Sequence, residues 1–262
     1  VTIRGATDVD GNPTTVLDGQ DAVRIAICQS GEGPDTTFEN LVFTNGSAPR
    51  GAGLYNLDSS PRVVNCVFSF NASDGDGGGA MYNKNCSPNI SECIFVGNTA
   101  INNGGAMANE GSSTILTDCV FDSNSTQSAG GGVLNFADSA PILNGCSFTG
   151  NHADSDGGGM YNVNSAPELT DCSFSSNSAV AMGGGMQNYN SMPDLNACQF
   201  TFNTASLGGG LHAFIGSNVD MADCVFNENS SEISGGAIQL SQEADAFISL
   251  SIFTGNFTSA TG

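Results

Sequence analysis

Seven cysteines recur at a nearly constant distance along this chain. Cys66, Cys93, Cys119, Cys146, Cys172, Cys198 and Cys224 are separated by 27, 26, 27, 26, 26 and 26 residues. Two positions after each stands a phenylalanine, from Phe68 to Phe226, and three further on an asparagine, from Asn71 to Asn229. Ser251, Phe253 and Asn256 continue the register with the cysteine replaced, and Leu41 and Phe43 open it one turn earlier. Two more columns keep the same beat. An apolar residue precedes each cysteine by three, from Val63 to Ile248, and Gly-rich triplets precede a second apolar series from Leu54 through Met81 and Met107 to Ile238.

A fixed period of this kind means stacked supersecondary units. Short alternating runs such as Cys172-Ser173-Phe174 put cysteine and phenylalanine on one face and the residue between them on the other. No stretch carries apolar residues at helical spacing for long enough, and Gly triplets would disrupt a helix. The reading is an all-β, right-handed parallel β-helix of about nine coils of about 26 residues, with three short strands and three bends per coil. Stacked at about 4.8 Å, the coils make a cylinder roughly 43 Å long. Residues 1–40 read as N-terminal coils or a cap, and residues 41–262 as the regular repeats of one continuous domain. Pro61, Pro88, Pro141, Pro167 and Pro193 fall five before a cysteine, at the start of a strand, where a missing N–H costs least. A propeller is the rival, but its blades run to about 40–45 residues.

Charge narrows the function. The chain has 5 Lys+Arg against 26 Asp+Glu, a formal charge of -21, and no basic residue after Lys84. Nucleic-acid binding needs clustered cations and is excluded, as is docking on anionic lipid. No apolar run of about 18 residues occurs, so no helix of this segment inserts in a membrane. The start lacks an initiator Met and a basic-plus-apolar leader, and the end stops in mid-coil. Both features read as a segment of a longer extracellular or cell-surface protein, or of an assembly whose ends stack.

The pairing of Gly78-Gly79-Ala80-Met81, Gly104-Gly105-Ala106-Met107 and Gly235-Gly236-Ala237-Ile238 with Phe68…Asn71 through Phe253…Asn256 resembles the repeats of polymorphic outer membrane proteins. The likeness covers about residues 40–258. It implies a right-handed β-helical passenger of a surface or secreted bacterial protein, in some cases an adhesin. Val1-Thr2-Ile3-Arg4-Gly5 and Thr15-Val16-Leu17-Asp18-Gly19 look like the opening coils of pectin-lyase-like β-helices.

Chemistry is sparse. The cysteines read as a reduced, inward-facing ladder of small apolar groups, ahead of inter-coil disulfides or a metal site. Cys28 and Cys86 lie off the ladder, and Cys86, aligned with Ser59, Ala140, Ala166 and Met192, reads as incidental. Catalytic residues: none is assigned, because hydrolysis or elimination needs positioned carboxylates or a base with cationic help. Glu92, Asp118, Asp171 and Asp223 project along one corner as solvated bend residues. His152 and His212 read as occupants of variable, exposed slots. Asp74, Asp76, Asp154 and Asp156, ahead of Gly triplets, are Ca2+ candidates by their hard oxygen donors; no other cofactor is expected. Tyr55, Tyr82 and Tyr161, with Leu134, form an outward column that could be an exposed apolar strip for a partner. Outward columns beside the cysteines carry no regular Thr array, which argues against an ice-binding face. The reading is a non-catalytic structural or adhesive surface module. Its partners are neighbouring copies or flanking domains, and a surface glycan or protein ligand. The alternative is a carbohydrate-active β-helix enzyme, a polysaccharide lyase or glycoside hydrolase, with its site in the N-terminal third, where the basic groups lie.

Overall fold

The computed structural model describes residues 1–259; residues 260–262, the end of the repeat region read from the sequence, lie outside the described residues. The chain winds as a parallel β-solenoid whose walls are sheets of ten, nine, nine and ten strands. Like residues pair across coils, with Ile90 opposite Leu116 and Phe95 opposite Phe121. One coil shows the plan. Asn89–Ser91 lies in the first wall, Ile94–Val96 in the second, Thr99–Ala100 in the third and Met107–Glu110 in the fourth. Three strands per coil is therefore one too few. The extra wall is two residues long in four successive coils, from Thr99–Ala100 to Ser178–Ala179, too short for alternation to register in a sequence. Thr2–Arg4, Thr15–Asp18 and Ala26–Cys28 pair onto later strands, so residues 1–40 extend the same walls.

The corners are left-handed turns. Glu92, Asp118, Asp171 and Asp223 share the corner ahead of the cysteines with φ between 51° and 55°, a conformation that short polar side chains tolerate better than branched ones. The corner into the fourth wall requires glycine. Gly78 has φ of 63°, and a Cβ there would lie 2.3 Å from the Met81 carbonyl oxygen.

Inside, identical groups stack. The rings from Phe43 to Phe253 form one continuous column with centroids 4.6–5.0 Å apart and planes within 9° of parallel. Beside it runs the asparagine ladder. Asn124 Nδ2 donates to Asn151 Oδ1 and to the Phe95 carbonyl, both at 2.9 Å, while its backbone N–H donates to the same Asn151 oxygen at 3.0 Å. Each buried amide of this ladder thus spends its donors and acceptors on adjacent coils, which removes the penalty of burying it.

Two further ladders were not anticipated. Asn56, Asn83, Asn109, Asn135, Asn162 and Asn188 line the inside of the fourth wall, each Nδ2 donating to the next Oδ1 at 2.8–2.9 Å. Their signal in the sequence is an asparagine two residues after each apolar residue of the Gly-triplet series from Leu54 to Met186. The second is a hydroxyl ladder, in which Ser112 N–H donates to Ser139 Oγ, Ser165 N–H to Ser191 and Ser191 N–H to Ser217, at 3.0–3.1 Å. Cys86 belongs to it, with its N–H on Ser112 Oγ at 3.2 Å. Its counterparts are Ser59 and these serines, not Ala140, Ala166 and Met192, because its N–H bonds to the serine hydroxyl of the next coil as theirs do.

Candidate functional site

Charges of both signs gather on the outer face of the fourth wall. Tyr55, Tyr82, Ala108, Leu134, Tyr161, Gln187 and His212 stack there in register. The column is the one read from the sequence, but it is not an exposed strip: Tyr82 is only 2% and Leu134 4% accessible. At the glycine corners the chain passes close against this column, and a Cβ on Gly78 would lie 3.2 Å from Tyr82 Cβ. Tyr55 and Tyr161 are half-buried.

Basic side chains cover two of the rings. Arg24 lies over the Tyr55 ring and Arg50 over the Tyr82 ring, 5.0 and 5.4 Å from the centroids. Arg50 also pairs with Asp76. Tyr82 Oη donates to Glu110 Oε2 and Lys84 Nζ to Glu110 Oε1, both at 2.7 Å. Burial, then the Glu110 carboxylate, pushes the Tyr82 hydroxyl well above its usual range. Burial works against the Glu110 charge, yet the bonds from Lys84 and Tyr82 hold its carboxyl below the usual value. Arg50, Asp76, Tyr82, Asn102, Asn103, Glu110 and Phe136 line an open hollow of 310 Å3. Both carboxylates in it are already engaged, so neither is free to act as a general base without breaking an ion pair.

A second concave feature runs along the third wall. Ser47, Ala72, Thr99, Ser125 and His152 stack in register and continue through Ser178, Thr204 and Ser230. Ser47, Ala72, Thr99, Ser125 and His152 line a shallow hollow of 410 Å3, and Thr204 and Ser230 line another of 350 Å3. Asp74 and Asp154 border the first, three coils apart. The four aspartates are therefore not gathered. Asp76 pairs with Arg50, Asp154 Oδ1 accepts from His152 Nε2 at 3.0 Å, and Asp156 Oδ2 accepts from Ser155 at 2.9 Å. Among the described residues no group of three or more His, Cys, Asp or Glu could hold a metal ion together.

The histidines part company. His152 is partly exposed, with Nδ1 on Ser178 Oγ at 2.7 Å. His212 is fully buried rather than exposed, between Gln187 Oε1 at 2.7 Å and Ser241 Oγ at 3.1 Å. It lies in the same covered column as Tyr82, and burial lowers its pKa to about 4. All nine cysteines are free and buried. Burial pushes the Cys93 thiol well above its ordinary value, and burial beside Glu32 pushes Cys28 to about 11.

Residues 99–256 match the family model described as "Right handed beta helix region". No curated protein and no solved structure matches the chain.

Proposed function

The chain belongs to the right-handed β-helix family, and from that premise we propose that it serves as a rigid, non-catalytic module of an extracellular or cell-surface protein. The observation that carries this reading is where the polar groups go. The asparagine and serine ladders spend their hydrogen bonds on the next coil, and the Arg50–Asp76 and Lys84–Glu110 pairs join one coil to the next in the same way. Such chemistry holds a shaft together, and the acidic exterior keeps an apolar-cored rod in solution. The Gly-triplet and FxxN columns support placing it with polymorphic outer membrane protein repeats. On this reading its partners are neighbouring copies, flanking domains, or a surface glycan or protein ligand.

One observation favours the carbohydrate-active alternative: the cluster of Arg50, Asp76, Tyr82, Glu110 and Lys84 sits near the N-terminal third, where that reading put a site. Two measurements separate the readings. Negative-stain imaging of the native source beside the isolated chain is expected to show rods, filaments or layers. A panel of polysaccharides is expected to yield no shortened or unsaturated products. Discrete particles that release such products, and lose the activity in Glu110→Gln, would overturn the proposal.

A further inference from the structure

On the third wall His152 stands between an alcohol and an acid. Its strand, His152–Ala153, stacks on Ser178–Ala179 of the next coil, with His152 directly opposite Ser178. Asp154 follows on the same outward face, with Ala153 buried between them. Asp154 Oδ1 lies 3.0 Å from His152 Nε2, and Ser178 Oγ lies 2.7 Å from Nδ1. A carboxylate only accepts, so Nε2 carries the ring proton, Nδ1 holds the lone pair, and the Ser178 hydroxyl donates to it. The chain's other histidine, His212, is buried between Gln187 and Ser241 and has no acid beside it. The His152 side chain is 44% accessible and can be reached from solvent.

We propose that Ser178 is an acyl-acceptor site, which takes one short acyl group from an activated carboxylic ester. A serine hydroxyl is a weak nucleophile until an adjacent base removes its proton, and a third group that anchors the imidazole also stabilises its charged form. Here Nδ1 is the base and Nε2 the anchored nitrogen. As Oγ bonds to the acyl carbon, its proton passes to Nδ1. The bond from that carbon to the leaving oxygen then breaks, and the leaving oxygen takes the proton from Nδ1. Val180, two residues beyond Ser178 on the same face and exposed, lines the 350 Å3 hollow with Ala179 and Thr204, which gives a short acyl chain an apolar contact. The ester then persists. The Ser178 N–H is spent on the Asn151 carbonyl and the Val180 N–H on that of Ala153, so neither is free to stabilise the oxyanion of hydrolysis. An activated donor reacts without that help because its leaving group is good, whereas the serine ester it forms has a poor one. The site thus adds one covalent mark to a structural module and no turnover.

The test is reaction with p-nitrophenyl acetate at neutral pH, followed by release of p-nitrophenolate and by peptide mass mapping. The expected result is a burst of about one p-nitrophenolate per chain, with one acetyl ester on the Ser178 peptide and little release after it. Ser178→Ala should abolish the burst and His152→Gln should slow it by about 100-fold or more, both with β-sheet circular dichroism unchanged. Asp154→Asn should also slow it, by loosening the hold on Nε2–H. The urea-unfolded chain should show no burst. A burst that survives in Ser178→Ala would make His152 or an amine the acceptor, and one equally fast in His152→Gln or in the unfolded chain would mean that Ser178 is not activated; either overturns the proposal. No burst from the folded protein overturns it and leaves the non-catalytic reading standing. Sustained release at the burst rate overturns both.

Discussion

Asn188 stands opposite Ala213 in the next coil, and its buried Nδ2 has no hydrogen-bond partner. The ladder that begins at Asn56 ends there because alanine offers no acceptor. At the other end Asn56 Oδ1 is equally unpartnered, with Cys28 opposite. An unmet buried amide costs about 1–3 kcal/mol. Ala213→Asn gives Asn188 its acceptor but leaves its own Nδ2 opposite Leu240, so the thermal midpoint is expected to stay within about 2 °C of the native value. Asn109→Ala, in mid-ladder, should lower it instead. If Ala213→Asn destabilised as much as Asn109→Ala, hydrogen-bond completion could not be what the ladder contributes.

The FxxN ladder gives a sharper contrast. Asn151 Oδ1 accepts from Asn124 Nδ2 and from the Asn124 backbone, while its Nδ2 donates to Asn177 Oδ1 and the Phe121 carbonyl. Asn151→Asp keeps the shape but removes both donors and turns a carboxylate toward two oxygens. A buried charge without partners costs about 3–5 kcal/mol, so the urea midpoint should fall steeply at pH 7. It should recover in part near pH 4, when the carboxyl regains a proton. Asn151→Ser loses some bonds without adding charge and should be insensitive to pH over that range.

Much of this architecture is legible in the sequence because stacking turns periodicity into contact: Cys, Phe and FxxN Asn repeat at the coil length and meet their own kind. What escaped reading is what periodicity does not encode. The third wall at Thr99–Ala100 is too short to alternate, and the serine rung around Cys86 shows only once the N–H donors are traced. Tyr82 and His212 looked outward because alternation assigns a face of the sheet. Whether that face is covered depends on how close the chain passes at the glycine corners, which set chain direction rather than hydropathy.

His212 makes stability depend on acid. Its folded pKa is about 4 against 6.5 when free, and it is enclosed by Gln187, Ser241 and the Phe214 ring, with no carboxylate among its hydrogen-bond partners. Between these values the unfolded chain binds a proton that the folded chain does not. Stability is therefore fully present above about pH 6.5 and falls as pH drops toward 4, by up to about 3 kcal/mol. His212→Gln places in the column the residue already found at Gln187 and Gln239. It should flatten the thermal midpoint between pH 7 and 5, relative to the native protein. An unchanged slope would assign the acid sensitivity to other groups.

Asp156 carries the opposite sign. Its Oδ1 is buried without a partner, and burial raises its pKa above the usual 3.8. The folded chain therefore holds a proton that the unfolded chain releases, and stability is lost as pH rises from 3.8 through the raised folded value. At neutral pH the charge is a standing cost. Asp156→Asn keeps the shape, removes the charge and supplies an N–H group. It should raise the thermal midpoint at pH 7 by roughly 2–4 °C for each kcal/mol recovered. The gain should shrink as pH falls through the raised folded value, where the native carboxyl takes up its proton. Asp154→Asn, which removes an exposed carboxylate beside His152, should shift the midpoint far less. Equal gains from both substitutions would mean that lowering the overall acidity, rather than relieving one buried carboxylate, accounts for the effect.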